Sequence, residues 1–558
     1  MNDEAAKKGK LNAIKRHIKE HAVSRHEKKR VQRVKDDRQG TFGQLVFGFE
    51  DQHEYGIQNS QSLQSILPES EPMRNVSSRS TPKTNTDFPT GHDGPERLNS
   101  QDLFSQEGVF ELDFTAKYLD HVFPFLFPFY KPAIFETGRS WLLSLLKHSK
   151  IALHTALGLS SFFFAVALNN AYGDDYAYEK SQTWHRLTEH ADHSFEGMQM
   201  DVRALLGSGC ETTVLEKVRM IESIIHVLLF ESVIGRSGDW EPHLTPAVAL
   251  FRQILEAVSD QKPKMLSALL SIGSPVWYKL ENDSYIWNPD QAGFRFFTSL
   301  LVFTDIIATT AQRREPSLKP LHNDILGEDT GAPVLGFTRV RLSSVLGVQN
   351  SVMLAIAEGS SLGTQKESDR EMEDAVKIKL NDRLMSVVDE LEPLCKIPPD
   401  HEPWNDSVDA PGLAFQSYSV RATTRSPSTM TTAVWALAAQ IYLLSIAGVS
   451  EYDNISVDMC IDRIISIIQR TPSRHLRTLA WPLCVAGCFA SISRRDDIRK
   501  IFQGQTDLQL IGSPKEAWQV IQEVWRQRGD ADEHVWDGSF HLNLASCLNV
   551  LGRAVLLI

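Results

Sequence analysis

Residues 214–235 read VLEKVRMIESIIHVLLFESVIG, and this stretch decides the fold class. Its apolar residues recur at alternating steps of four and three, which is the period of one face of an α-helix. They are Val214, Val218, Ile221, Ile225 and Leu228. The glycine at position 235 is typical of a helix end, because glycine adopts the left-handed backbone conformation without a steric cost. The pattern predicts a long amphipathic helix that ends at Gly235.

Two further segments have the same character. Residues 432–447 are periodically apolar and are followed by Gly448, and a third helix is predicted from a series of leucines. The series is Leu142, Leu145, Leu146, Leu153 and Leu157. We find no strict apolar/polar alternation flanked by hairpin turns, so strands are not expected. The chain is therefore predicted to be all-α, an irregular array of helices without a fixed repeat.

The longest apolar window, residues 151–168, is interrupted by His154, Thr155, Ser160 and Ser161. A bilayer span needs roughly 20 mostly apolar residues, so this window is interpreted as a buried helix and no membrane partner is expected. The chain opens on polar and basic residues where a secretory signal would be apolar. These features predict a soluble intracellular protein.

Charged residues are distributed unevenly along the chain. Residues 1–40 carry thirteen Lys/Arg and six Asp/Glu, whereas the whole chain of 558 residues has a net charge of −12. Residues 41–110 are rich in Ser, Pro, Asn, Gln, Gly and Thr, a composition typical of disorder. We therefore predict a basic head (1–40), a disordered linker (41–110) and a helical body (111–558), with loops near 364–374 and 396–428.

The basic head contains two clusters of positive charge with the spacing of a bipartite nuclear import signal. Lys15 and Arg16 are followed, after eleven residues, by Lys28, Lys29 and Arg30. Such clusters bind acidic pockets of an import receptor, and they also contact phosphates of nucleic acid. Basic helices bind RNA or membranes too. The preferred interpretation is a nuclear address, with DNA contact through the same head as a further role.

The densest group of potential metal ligands is His185, Glu189 and His193, which would share one face of a helix. The three residues would span roughly 12 Å at 1.5 Å per residue, too far for one ion unless one end residue is dropped. We interpret the group as a solvated polar face. His226 and His243, near Glu231 and Asp239, are interpreted as ordinary core or surface histidines.

Other signatures of chemistry are missing or incomplete. The aspartate pair Asp174 and Asp175, with Glu179, lacks the spacing of a terpene synthase motif, and residues 282–284 do not form the second motif. There is no Walker loop, strand-bound GxGxxG or GxSxG elbow. The six cysteines are scattered, and the close pair Cys484 and Cys488 is interpreted as core packing. We expect no catalytic residue, metal or cofactor.

Several body segments resemble the regulatory domain of the fungal-specific transcription factors. The matching segments are LLFE (228–231), GDWEPHL (238–244), FRFF (294–297), FTDI (303–306), LAWPLCVAGC (479–488) and the helix around 518–525. Their order along roughly residues 111–558 is also similar to that of the family. The resemblance implies an all-helical regulatory domain, a role in transcription regulation and other transcription regulators as partners.

One feature departs from the family pattern. Family members usually carry a binuclear zinc cluster with six closely spaced cysteines, and residues 1–209 contain no cysteine. The chain resembles a subgroup with a basic segment there, in this case RHIKEHA (16–22). The resemblance thus implies a nuclear, pathway-specific regulator, for example of a metabolic or secondary-metabolite gene cluster. The alternatives are a co-regulator that acts through a DNA-binding partner and an all-α enzyme.

Overall fold

The computed structural model describes most of the predicted body. The described ranges are 106–132, 138–172, 213–235, 240–258, 263–279, 284–327, 338–368, 374–396, 428–449, 451–452, 455–505, 511–529 and 543–558, with single positions between 185 and 197. The basic head, its import clusters and residues 41–105 of the linker lie outside them.

The elements of the first part of the body are almost all helical. In chain order they are α1 (Gln106–Lys117), a π-helix (Tyr118–Val122), α2 (Phe123–Leu126), α3 (Ser140–His148), α4 (Lys150–Tyr172), α5 (Val214–Val233), α6 (Glu241–Ala257), α7 (Lys264–Ile272), β1 (Trp277–Lys279), β2 (Ser284–Ile286) and α8 (Pro289–Gln312).

The remaining elements continue the array. They are a 3₁₀-helix (Lys319–Leu321), α9 (His322–Ile325), a 3₁₀-helix (Leu342–Ser344), α10 (Asn350–Ser368), α11 (Asp374–Cys395), α12 (Ser428–Ala447), β3 (Glu451–Tyr452), β4 (Ile455–Ser456), α13 (Val457–Ile468), a 3₁₀-helix (Ser473–Leu479), α14 (Ala480–Phe489), α15 (Ile492–Gln503), α16 (Ser513–Arg528) and α17 (Leu544–Leu548). The prediction of an all-α fold is confirmed.

The helix predicted from residues 214–235 is confirmed as α5. Thr213 Oγ1 accepts a hydrogen bond from the backbone N–H of Glu216 at 3.2 Å, and Glu216 Oε2 accepts one from Thr213 N–H at 2.7 Å. This capping box satisfies two of the backbone donors that a helix start leaves unpaired. Gly235 follows the helix with φ of +75°, as its position at the end of the pattern predicts.

The leucine series 142–157 forms two helices where the sequence predicted one. Ser149 leaves the helical conformation, with φ of −116° and ψ of 107°, and so ends α3. Its hydroxyl accepts a hydrogen bond from Ala152 N–H at 3.1 Å and thereby caps the start of α4. Leu146 and Leu153 are seven residues apart, a spacing that fits either arrangement, so apolar periodicity did not reveal the break.

The expectation that the chain lacks strands is wrong in detail. β1 and β2 form a short antiparallel hairpin in which Trp277 pairs with Ile286 and Lys279 with Ser284. β3 and β4 form a second hairpin of two residues per strand. Strands this short contain too few residues to display alternation, which is why the sequence pattern missed them.

Two predicted boundaries shift. α1 begins at Gln106, so the last residues of the predicted linker are helical. α10 continues to Ser368, which places the start of the predicted 364–374 loop inside a helix, and α11 begins at Asp374. Of the predicted 396–428 loop, residues 397–427 lie outside the described residues.

The buried apolar side chains form one continuous core from Tyr118 to Leu557 within the described residues. In the described part of the chain, three helices are long and apolar enough to cross a membrane by length and composition. In α8 and α12, 94% and 89% of that apolar window is buried inside the body, and in α4 the share is 56%. Their apolar composition is therefore explained to a large extent by protein packing, and the 151–168 window is helical as predicted.

Candidate functional site

The predicted site residues of the head are Lys15, Arg16, Lys28, Lys29 and Arg30, and all five lie outside the described residues. The structure brings other predicted residues together inside the body. The segments that resemble the regulatory domain are considered first, because several of them place polar side chains in the core.

The first such segments join α5, α6 and the end of the chain. Glu231 Oε2 lies 2.9 Å from His243 Nε2, and the two side chains are 7% and 8% exposed. Trp240, which precedes α6, donates its indole N–H to the carbonyl of Ala554 at 3.1 Å. A buried carboxylate needs a close partner, and this contact places one on α6 beside Glu231 of α5. The prediction that His243 is an ordinary core histidine is consistent with this arrangement.

The segments in α8 supply an aromatic cluster and a buried carboxylate. The Phe296 ring lies 4.8 Å from the ring of Trp141 and 5.6 Å from that of Phe123. Asp305 is fully buried; its Oδ2 accepts the backbone N–H of Leu318 at 2.8 Å, and its Oδ1 lies 3.2 Å from both terminal nitrogens of Arg314. This carboxylate therefore holds the chain that leaves α8.

The segment 479–488 is buried throughout. The rings of Trp481 and Trp435 stack with centroids 5.2 Å apart, and the indole N–H of Trp481 donates to Thr310 Oγ1 at 3.1 Å. Cys484 and Cys488 are both buried, with their sulfur atoms 3.9 Å apart. The pKa of Cys488 is raised, first by its contact with Cys484 and then by burial. Both thiols thus belong to the core, as the sequence predicted.

The candidate metal ligands His185, Glu189 and His193 are all exposed, in agreement with a solvated polar face. The His193 ring instead lies 5.0 Å from the ring of His154, whose Nδ1 is 3.3 Å from His190 Nδ1. Burial lowers the pKa of His154, and it lowers the pKa of His190 to about 4. It is the largest cause of the shift in both residues. Within the described ranges, no three His, Cys, Asp or Glu residues are grouped to hold a metal ion.

Most of the residues compared with the terpene synthase motifs lie outside the described ranges. Asp174, Asp175, Glu179, Asn282 and Asp283 lie outside the described residues, and Ser284 begins β2.

Two buried titratable side chains have surroundings that were not predicted from the sequence. The Tyr118 hydroxyl lies 2.8 Å from His226 Nε2, and burial lowers the pKa of His226 to about 4. Glu222, one turn before His226 on α5, is buried, and its pKa is raised to about 8 by burial and by the charge of Asp290. Sequence periodicity places His226 and Glu222 on a helix, but it does not show that neighbouring helices cover them.

The sequence profile of the fungal specific transcription factor domain matches residues 114–558. The chain belongs to this family. It is therefore a transcription regulator. The segments that suggested the family from the sequence supply the packing contacts described above.

Individual relatives agree with this assignment. The chain is 30% identical over 458 residues to the transcription factor dibT of Pestalotiopsis microspora, an alignment that covers 79% of this chain and 70% of the relative. It is 21% identical to the pestheic acid cluster transcriptional regulator 3 of Pestalotiopsis fici, over 83% of this chain and 79% of the relative. A trichothecene biosynthesis transcription regulator of Trichoderma arundinaceum is 22% identical, over 75% of this chain and 92% of the relative. No solved structure matches the chain.

Proposed function

We propose that this regulator acts in the nucleus on the genes of one biosynthetic pathway, such as a secondary-metabolite gene cluster. The observation that carries the proposal is the family match over residues 114–558 together with relatives named as regulators of pestheic acid and trichothecene biosynthesis. These relatives align over most of their own length. The proposal extends their stated role to this chain.

We assign different tasks to the head and the body. Residues 41–558 contain 45 Lys/Arg and 64 Asp/Glu, so their net negative charge repels nucleic acid. Residues 1–40 carry the opposite excess, which attracts the acidic pockets of an import receptor and the phosphates of DNA. The head thus supplies the address and phosphate contacts, and the helical body supplies the surface for other regulators.

A second form of the proposal is a co-regulator that does not touch DNA. It is favoured by one observation, which is that residues 1–209 contain no cysteine and so cannot hold a zinc cluster. In this form the body pairs with a DNA-binding regulator, and the head serves only for import.

Nuclear import is tested by replacing Lys28, Lys29 and Arg30 with alanine in a fluorescent fusion of the full chain. The fusion is expected to become cytoplasmic, because one of the two basic clusters is lost. The matched control replaces Lys7, Lys8 and Lys10, which removes the same charge outside the bipartite spacing. Unchanged nuclear fluorescence in the first variant contradicts the import signal, and equal loss in both variants contradicts the bipartite spacing.

DNA contact is tested by mapping chromatin occupancy for the full chain and for a chain without residues 1–40, to which an independent import signal is fused. Loss of promoter occupancy only after head deletion supports DNA contact by the head, and unchanged occupancy supports the co-regulator. With purified protein, phosphate contact predicts that log K falls with log salt at a slope of roughly −0.9 per contact. A failure to shift promoter fragments at low salt contradicts direct binding.

The enzyme alternative is tested by metal analysis of the purified full chain. Stoichiometric metal that is lost in both His185→Ala and His193→Ala would contradict the assignment of these exposed residues to a solvated face.

A further inference from the structure

A small cavity lies where α5, α8, α12, α14 and the last residues of the chain meet. Its volume is about 30 Å³, which exceeds the ~10–15 Å³ that one water molecule needs. The described lining is mostly apolar and aromatic, and it includes the stacked rings of Trp435 and Trp481. Its polar lining residues within the described ranges are Thr304, Arg477 and Thr478.

Arg477 is the exceptional side chain of this lining. It is 5% exposed, and its Nη1 has no hydrogen-bond partner. In the described part of the body, no carboxylate lies within ion-pair distance of its guanidinium. Burial lowers the pKa of Arg477 to about 10, so the group stays charged at neutral pH.

Two other arginines of the body each contact a polar group of the protein. Arg314 contacts the buried carboxylate of Asp305, and Arg495 donates to the carbonyl of Gly529 at 3.2 Å. An uncompensated charge in an apolar interior is costly, and a polar or anionic partner lowers that cost. Arg477 lines the cavity, so a polar or anionic group bound there would compensate its charge.

We propose that this cavity binds a short monocarboxylate, of the size of formate or acetate, with its carboxylate on Arg477. A guanidinium presents parallel N–H groups that match the two oxygens of a carboxylate. A single cation in the described lining compensates one negative charge, which favours a monoanion over phosphate or sulfate. The apolar walls suit a methyl group, and the volume excludes an aromatic acid. This site is independent of the proposed nuclear role.

The test measures thermal unfolding of the full chain against the concentration of sodium acetate, with sodium chloride replacing it at constant ionic strength. A ligand that binds the folded state raises the melting temperature with the logarithm of its concentration. We expect this rise in the wild type and its loss in Arg477→Met, which keeps an extended side chain and removes the charge. The matched control is Arg495→Met, another buried arginine, which should keep the acetate dependence.

A second measurement does not depend on any variant folding well. Saturation transfer from the protein to acetate, observed by NMR on the wild type, should be detected and should disappear when excess formate competes.

Arg477→Lys keeps the charge without the paired donors, and we expect it to weaken the acetate dependence several-fold. Equal melting temperatures in acetate and chloride, or an acetate effect that persists in Arg477→Met, would overturn the proposal.

Discussion

Burial changes the chemistry of Glu222 on α5. Its folded-state pKa of about 8 exceeds its ordinary value of 4.5, so the folded protein keeps a proton that the unfolded chain releases. The contribution of Glu222 to the free energy of unfolding is fully present below pH 4.5 and is lost as the pH rises toward 8. We predict that Glu222→Gln is more stable than the wild type at neutral pH. The gain in the free energy of unfolding should grow by about 1.4 kcal/mol per pH unit across that window.

Denaturant midpoints at several pH values measure this difference. Glu216→Gln is a suitable control, because Glu216 is on the same helix and its carboxylate caps the helix start in an exposed position. It should be destabilising or neutral throughout. A Glu222→Gln effect that does not change between pH 5 and pH 8 would contradict a proton held by the folded state.

His226 should give the opposite pH dependence. Its folded-state pKa of about 4 lies below its ordinary value of 6.5, so in this window the unfolded chain binds a proton that the folded protein excludes. The group therefore reduces stability as the pH falls from 6.5 to 4. In His226→Gln, which keeps an acceptor for the Tyr118 hydroxyl, this slope should decrease by about 1.4 kcal/mol per pH unit.

The measurement is the free energy of unfolding of the variant minus that of the wild type as a function of pH. His121→Gln, at an exposed position, is the matched control and should leave the slope unchanged. If the two histidine variants alter the slope equally, burial of His226 is not its cause.

At the scale of elements, the close packing of α14 on α16 depends on a single glycine. A Cβ atom added at Gly487 would lie 2.5 Å from Ile521 Cδ1 and 2.6 Å from Cγ1. The helices can approach this closely because glycine has no side chain, and the carbonyl of Gly487 also accepts the indole N–H of Trp525 at 2.9 Å. We predict that Gly487→Ala lowers the free energy of unfolding by about 1–3 kcal/mol through overpacking.

Chemical denaturation of the variant and of the double variant Gly487→Ala/Ile521→Val tests this explanation. Removing one methyl group from Ile521 should restore part of the lost stability. Equal stability of Gly487→Ala and the wild type would show that Ile521 can move aside without cost.

The same scale shows what the sequence could predict. The helices around 214–235 and 432–447 were predictable because each has a long run of periodically spaced apolar residues. Each is also followed by a glycine with positive φ. The break at Ser149 was not, because one capping hydroxyl ends a helix without changing the apolar spacing on either side. The hairpin of Trp277–Lys279 with Ser284–Ile286 is too short for a pattern to appear.

The polar groups of the core were less predictable than the helices. The segments that resemble the family indicated packing, and Asp305 and Trp481 are core contacts as expected. However, an arginine at position 477 looks like any surface residue in the sequence. It is buried, and it lines a cavity with residues of α8, α12, α14 and the chain end, which are far apart in sequence. Local patterns do not contain that information.

At the scale of the whole molecule, the continuous core predicts that the two ends of the body stabilise each other. Leu556 lies in the final non-helical segment, yet it is fully buried in the same core as Tyr118. Leu556→Ala removes buried apolar volume and should lower the free energy of unfolding by about 2–5 kcal/mol. Because the core is shared, the melting temperature should fall equally when far-UV circular dichroism and tryptophan fluorescence are followed.

The control is Leu143→Ala, since this leucine on α3 is 54% exposed and its truncation should change the melting temperature little. If Leu556→Ala produced an early transition seen by fluorescence alone, the chain end would melt separately from the rest of the body. A single shifted transition would instead mean that the regulator's helical body, from α1 to the last residue, loses its structure as one unit.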